Sequence, residues 1–399
     1  MKKTNPKLWG KLQAQLVPGE LKLDSATLEG HQGDKWFATG RPEAVALPRS
    51  SKAVSTILRF AHRHQIPVTP RGAGHGYVGG CVPLRGGIAL SVARMRRIKE
   101  IHEDDFVAVA QPGVITADLQ AKAEAKGLYY PPDPASRADC SIGGNVATNA
   151  GGPRCLKYGV TSDYVLGLEV VLPDGTITRV GSRTHKNKTG FDFPRFFTGT
   201  EGMLCVVTEV TLKLLPLPPY RAALSVGMPT IAAAAKGLRQ IFKAGFLPSA
   251  LEIADEFTLN AAIQRTGSRR LSGCRGHLIV ELDGQEKSVR SELRDVKRQL
   301  EPLKPRFVDQ ALGAKAVEAI WQLRREFSYS LRDTGLVKLN EDIVVPRGCL
   351  EKLLAFTVAS GLPTPKDITD LPVGMRRIKE TRGYSYAVIF PLPIEFSDG

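Results

Sequence analysis

Apolar and polar positions fall into a regular rhythm after Gly40. Ala44-Val45-Ala46-Leu47 reads as a strand. Ser50 or Ser51 then caps a helix whose apolar positions Val54, Ile57, Leu58 and Ala61 follow the i, i+3, i+4, i+7 rule. Ile66-Pro67-Val68-Thr69 is the next strand, completing a β-α-β unit that delivers the loop Arg71–Gly80. Ile88-Ala89-Leu90 and Phe106–Ala110 are further strands, and Thr116 to Lys126 reads as a helix closed by Gly127. Residues 163–172 and 202–214 supply long β-rich segments. Leu215-Pro216-Leu217-Pro218-Pro219 is the clearest boundary, and an α+β region follows it. That region holds an alanine-rich helix near 230–244, a strand at His277–Leu282, a charged helix at 287–300 and a helix near 314–325. There is no internal repeat.

Two stretches break the rhythm. Pro131-Pro132-Asp133 to Gly151-Gly152 reads PPDPASRADCSIGGNVATNAGG, with hardly a bulky side chain after Asp139. Such a run cannot build a core, but glycine lets backbone approach something large, flat and charged. Ser141 is placed to cap a short helical turn whose free N–H groups would face a phosphate. Earlier, Arg71-Gly72-Ala73-Gly74-His75-Gly76 makes a second glycine-rich loop. Two such loops, each after a strand-like segment, suggest a dinucleotide held at both ends. A Rossmann domain is the competing reading. It lacks support, because no early strand runs straight into G-x-G-x-x-G.

Composition narrows the classes. The 399 residues suffice for two or three domains, and an apolar share of 42% is that of an ordinary globular chain. No apolar run approaches the ~20 residues needed to cross a bilayer. The N-terminus MKKTNPKLWGKLQAQL lacks the apolar stretch of a secretory signal. The six cysteines show no C-x-x-C pair, hence no zinc or iron–sulfur spacing, and read as reduced. A cytoplasmic protein without a transmembrane segment is the expectation. The net charge of +15 is spread along the chain instead of gathered in a stripe, which argues against a nucleic-acid partner.

Five segments in fixed order carry a specific resemblance: RPEAVALPRSSKAVSTILRFAHRHQIPVTPRGAGHGYVGG, PGVITADLQ, the proline–glycine stretch above, YGVTSDYVLGLEVVLPDG and FTGTEGMLCVVTEVTLKLLPLP. Residues 41–219 thereby resemble the PCMH-type FAD-binding domain of the vanillyl-alcohol-oxidase superfamily, in the branch of glycolate oxidase large subunits and D-lactate dehydrogenases. Residues 220–362 resemble that family's cap domain, which shapes the substrate pocket. The implied fold is α+β: an N-terminal helical segment (1–40), a two-subdomain FAD-binding domain (41–219), an incomplete α+β cap (220–362) and a divergent tail (363–399).

The resemblance also implies roles. Arg71, Gly72, Ala73, Gly74, His75, Gly76 and Tyr77 would wrap the pyrophosphate and ribityl of FAD with backbone N–H groups. Pro132 and Asp133 would lie along the flavin edge. Ser141, Ile142, Gly143, Gly144, Asn145, Asn149, Gly151 and Gly152 would complete the phosphate and ring contacts, and Glu201, Gly202, Val206 and Val207 would sit near the adenine. His75 either bonds covalently to the flavin or only hydrogen-bonds the cofactor; the rest of the chain follows the non-covalent branch. Arg324 and Arg325 are the candidates for pairing with a substrate carboxylate, the alternative being a solvated helix face. Lys338 and Glu341 could serve structure instead.

The expected activity is oxidation of a small 2-hydroxy acid by hydride transfer to flavin, with a separate electron-transfer subunit or acceptor. The family's histidine-rich segments, which hold a divalent metal or take a proton, are absent: no histidine follows His277, and no metal ligands are assigned. The text after about residue 362 has no clear periodicity and suggests a frameshift, a truncation or divergence. A non-catalytic flavin-binding subunit or inactive remnant is therefore the alternative.

Overall fold

The computed structural model describes residues 4–35 and 38–333, with Val337–Lys338, Pro346, Cys349, Lys352 and Tyr384–Ser385. The chain divides between Leu217 and Pro218 into two compact units.

In the first unit the strands are β1 (Leu21–Lys22), β2 (Ala44–Ala46), β3 (Val68–Arg71), β4 (Ile88–Ser91), β5 (Ile98–His102), β6 (Val107–Ala110), β7 (Leu128–Tyr129), β8 (Val165–Val171), β9 (Ile177–Gly181), β10 (Val206–Lys213) and β11 (Leu215–Pro216). The helices are α1 (Pro6–Gln13), α2 (Ser25–Glu29), α3 (Ser51–His64), α4 (Thr116–Glu124), α5 (Ile142–Thr148), α6 (Cys155–Tyr158) and α7 (Phe193–Phe197). One sheet runs β1-β2-β4-β3, its last three strands parallel; a second is antiparallel, β5-β6-β10-β8-β9, and β7 pairs with β11 as a small antiparallel third.

Amphipathic α3 ties the first two together. Ser50 caps it by accepting the Ala53 N–H at 3.2 Å, and Val54, Ile57, Leu58, Phe60 and Ala61 are buried on one face. Trp9 and Leu12 of α1 and Leu21 of β1 join the same core, as do Val171 and Val206 from the second sheet. That sheet's other charged positions pair with one another: Arg179 reaches Glu209 at 2.8 Å and Glu169 at 2.7 Å.

The second unit is an antiparallel sheet of order β13-β14-β12-β15, built from β12 (Tyr220–Met228), β13 (Ala250–Asp255), β14 (Gly276–Gly284) and β15 (Phe307–Leu312). Helices α8 (Ile231–Lys243) and α10 (Glu286–Leu300) cover one face. Val289, Leu293, Val296 and Leu300 of α10 meet Leu224, Val226, Leu278 and Val280 there. Helices α9 (Glu256–Thr266) and α11 (Ala314–Asp333) pack on the other, where Val317 and Trp321 meet Ala223, Ile279 and Ala311. The tail read from residue 363 onward, and Glu341, lie outside the described residues, apart from Tyr384–Ser385. That dipeptide pairs in parallel with Val337–Lys338.

Candidate cofactor site

The two glycine clusters meet. A Cβ on Gly72 would stand 2.7 Å from Ser141 Oγ and 3.2 Å from Gly144 Cα, so the loop after β3 lies directly against the start of α5. Gly72, Ala73, Gly74, His75 and Gly76 line a cleft with Pro134, Ser136, Ser141, Gly144, Asn145, Ala150 and Glu201.

The first loop has the character of an anion cradle. None of the backbone N–H groups of Gly72, Ala73, Gly74, His75 and Gly76 finds an acceptor among the described residues. An unpaired N–H facing a wall of protein would be costly; facing a ligand phosphate it is a ready donor. Arg71 shapes this loop from within. Its guanidinium donates to the Gly33 carbonyl at 2.6 Å and to Cys81 Sγ at 3.3 Å. Gly74, at φ +76°, leaves room for it: a Cβ would fall 2.2 Å from Nη2. Burial holds the His75 imidazole below its ordinary pKa, with Arg71 and Lys35 adding to the effect against Asp139. Burial likewise pushes the Cys81 thiol up.

The second cluster differs from the sequence expectation in one respect. Ser141 does cap α5, accepting the Gly144 N–H at 3.3 Å. The other leading N–H groups are already paired, however: Ile142 donates to Val114 O at 2.8 Å and Gly143 to Pro112 O at 2.7 Å. The start of α5 is stitched to residues 112–114, and the free donors sit in the 72–76 loop. Asn145 is buried and donates to Thr116 Oγ1 at 2.6 Å.

The remaining sequence candidates sort by position. Ile142 and Val206 are core residues, and Val207 packs at the edge of the core. Gly143 is pressed on Pro112 and Gly202 on Pro70. Asn149, left-handed at φ 49°, accepts the Ser162 N–H at 2.8 Å. Tyr77 is partly exposed. Gln120, not singled out from sequence, donates to Tyr130 O at 3.2 Å and Pro132 O at 2.9 Å. Asp133 is buried against Arg154, which sequence reasoning also missed. Gly151 and Gly152 pack on Cys155 and Asp133.

In the second unit, Arg324 Nε is held by Glu252 at 2.8 Å, while Arg325 bonds Glu318 and Gln322. The sequence also passed over a buried polar layer there. His277 Nε2 and Ser225 Oγ lie 2.8 Å apart, and Glu281 accepts from the Trp321 indole N–H and from Arg221. Burial drives the His277 pKa down to about 4, opposed by Asp309. The signal was available, since His277, Ile279 and Glu281 alternate onto one face of β14. No group of side chains able to hold a metal occurs among the described residues.

Comparison with known proteins places this geometry. An FAD binding domain model matches residues 42–181, and the model for the C-terminal domain of FAD linked oxidases matches residues 217–360. The glycolate oxidase subunit GlcD of Bacillus subtilis (strain 168) is 38% identical over 77% of this chain and 65% of that protein. The D-lactate dehydrogenase of Anaerostipes hadrus is 31% identical over 80% of this chain and 69% of that protein. An alkyldihydroxyacetonephosphate synthase structure superposes with TM-score 0.71 at 22% identity, covering 83% of this chain and 66% of that one, which speaks to the fold. The chain thus spans about two thirds of the Bacillus GlcD, and 51% of the Escherichia coli (strain K12) one. A glycine-rich cradle whose N–H donors find no acceptor among the described residues fits the pyrophosphate that such a domain must hold, and the chain belongs to the family of FAD-linked oxidases, with FAD as its cofactor.

Proposed function

We propose that this chain oxidises a small 2-hydroxy acid of the glycolate or D-lactate type, with FAD as hydride acceptor. The run of five N–H groups from Gly72 to Gly76, unpaired among the described residues and set against the start of α5, carries the reading; the names of the relatives supply the substrate class. In this reading the 72–76 loop takes the pyrophosphate. Gly144, Asn145 and Ala150 flank the flavin, and Glu201 lies toward the adenosine end. Bound flavin supplies the hydride acceptor. Arg324 is the better carboxylate partner of the two arginines: only its Nε is engaged among the described residues, leaving an open fork. A separate chain or small molecule takes the electrons onward. The free cysteines suit a reducing compartment such as the cytoplasm.

The test is anaerobic. Flavin absorbance should bleach on adding glycolate or D-lactate, and Arg324→Met should raise the concentration needed by at least about tenfold, the scale of one lost charge-assisted contact. A flavin that no 2-hydroxy acid bleaches favours the second reading, a flavin-binding subunit without turnover. Acid precipitation should release the colour, because His75 only flanks the cofactor; colour kept in the pellet would make it a covalent anchor.

A further inference from the structure

We infer that Asp133 and Arg154 are a positioning pair that fixes the spacing of two walls of the FAD cleft, so that cofactor affinity depends on the pair although neither side chain need touch the cofactor. The inference rests on the cofactor reading above. Pro131, Pro132 and Pro134 have no N–H, so between residues 131 and 134 this wall has a single backbone donor, that of Asp133. Other groups must hold it from behind. Gln120 does so through the Tyr130 and Pro132 carbonyls. Arg154 does so through the carboxylate: its Nη1 meets Asp133 Oδ2, and its backbone N–H lies 3.4 Å from Oδ1.

Arg154 belongs to the opposite wall, just after the Gly151-Gly152 pair. The two walls touch there, since a Cβ on Gly152 would stand 2.3 Å from the Asp133 carbonyl oxygen and 2.4 Å from Oδ1. Pro134 on one side and Ala150 on the other line the cleft itself. The pair is withdrawn from water, with Asp133 7% and Arg154 8% exposed. A buried ion pair adds little net stability over a neutral replacement, whereas one stranded partner is strongly destabilising. Its contribution here is register: Arg154 meets Asp133 through both its guanidinium Nη1 and its backbone N–H, which ties the Asp133 loop to the residues after Gly152.

The test separates register from mere folding. Apoprotein is titrated with FAD, following quenching of flavin fluorescence and the visible spectrum, and its melting temperature is measured in parallel. Asp133→Asn/Arg154→Gln removes both charges together and should melt near the parent, yet bind FAD at least about tenfold more weakly, with a shifted flavin band. Arg154→Lys keeps the charge but loses the fork and should fall between. Parental affinity and spectrum in the double variant would overturn the proposal. If that variant does not fold, parental affinity in Arg154→Lys overturns it instead. A parent apoprotein that takes up no FAD would overturn the cofactor reading and the pair's role with it.

Discussion

One polar region in each unit makes a contrast. In the first, backbone donors from Gly72 to Gly76 stand at a cleft with no acceptor among the described residues. In the second, Ser225, His277, Ser249, Glu281 and Trp321 lie deeper, yet each has a partner. The contrast separates a surface prepared for a ligand from a core that has closed on itself. Polarity alone does not mark a site; a run of backbone donors left open along a glycine-rich loop at a cleft is the stronger sign.

Breaking the closed layer should have the largest effect. Glu281→Ala strands the Trp321 N–H and leaves Arg221 without its carboxylate, and should cost about 3 kcal/mol in urea unfolding. Because the first unit is untouched, FAD affinity per folded molecule should stay at the parental value; a matching loss of affinity would tie the closed layer to cofactor binding.

The reciprocal change is Gly74→Ala. Left-handed strain of about 1–2 kcal/mol, added to displacement of the Arg71 guanidinium, should weaken FAD binding at least tenfold by that scale. Isothermal titration of the apoprotein reads this directly.

Acid sharpens the comparison further. The folded pKa of His277 lies near 4, below its ordinary 6.5, so protonation favours the unfolded chain. Its stabilising contribution is complete above pH 6.5 and is lost as pH falls toward 4, with a slope of at most about 1.4 kcal/mol per pH unit. His277→Gln should flatten that part of the stability–pH curve; an unchanged slope would assign it to other groups. Smallest is Ser50→Ala, which removes the cap of α3 and should cost about 1 kcal/mol, with melting temperature as the readout.

Legibility followed local pattern. Helix α3 and its Ser50 cap were readable because the buried positions repeat at helical spacing within one segment, and α10 because Val289, Leu293, Val296 and Leu300 do the same. Strands β12 and β15 were not read out. Most of β12 is buried on both faces, so the alternation that marks a strand disappears. The glycine loops are visible as composition, and the structure brings the two together at one cleft. What could not be seen was pairing across distance. Stitching of Ile142 and Gly143 to Val114 and Pro112 joins segments about thirty residues apart, and it moves the free donors from α5 to the 72–76 loop. The Asp133–Arg154 pair was hidden for the same reason, each residue looking like an ordinary loop charge.

The proline wall has a consequence for measurement. From Pro131 to Pro134 the backbone carries a single amide hydrogen, that of Asp133. Deuterium uptake on this side of the cleft therefore has almost nothing to report, whether FAD is bound or not. The glycine loop opposite carries an exchangeable amide at every position from 72 to 76. Protection on cofactor binding should be lopsided, strong along one lip and nearly silent along the other, and that silence would reflect missing protons, not missing contact.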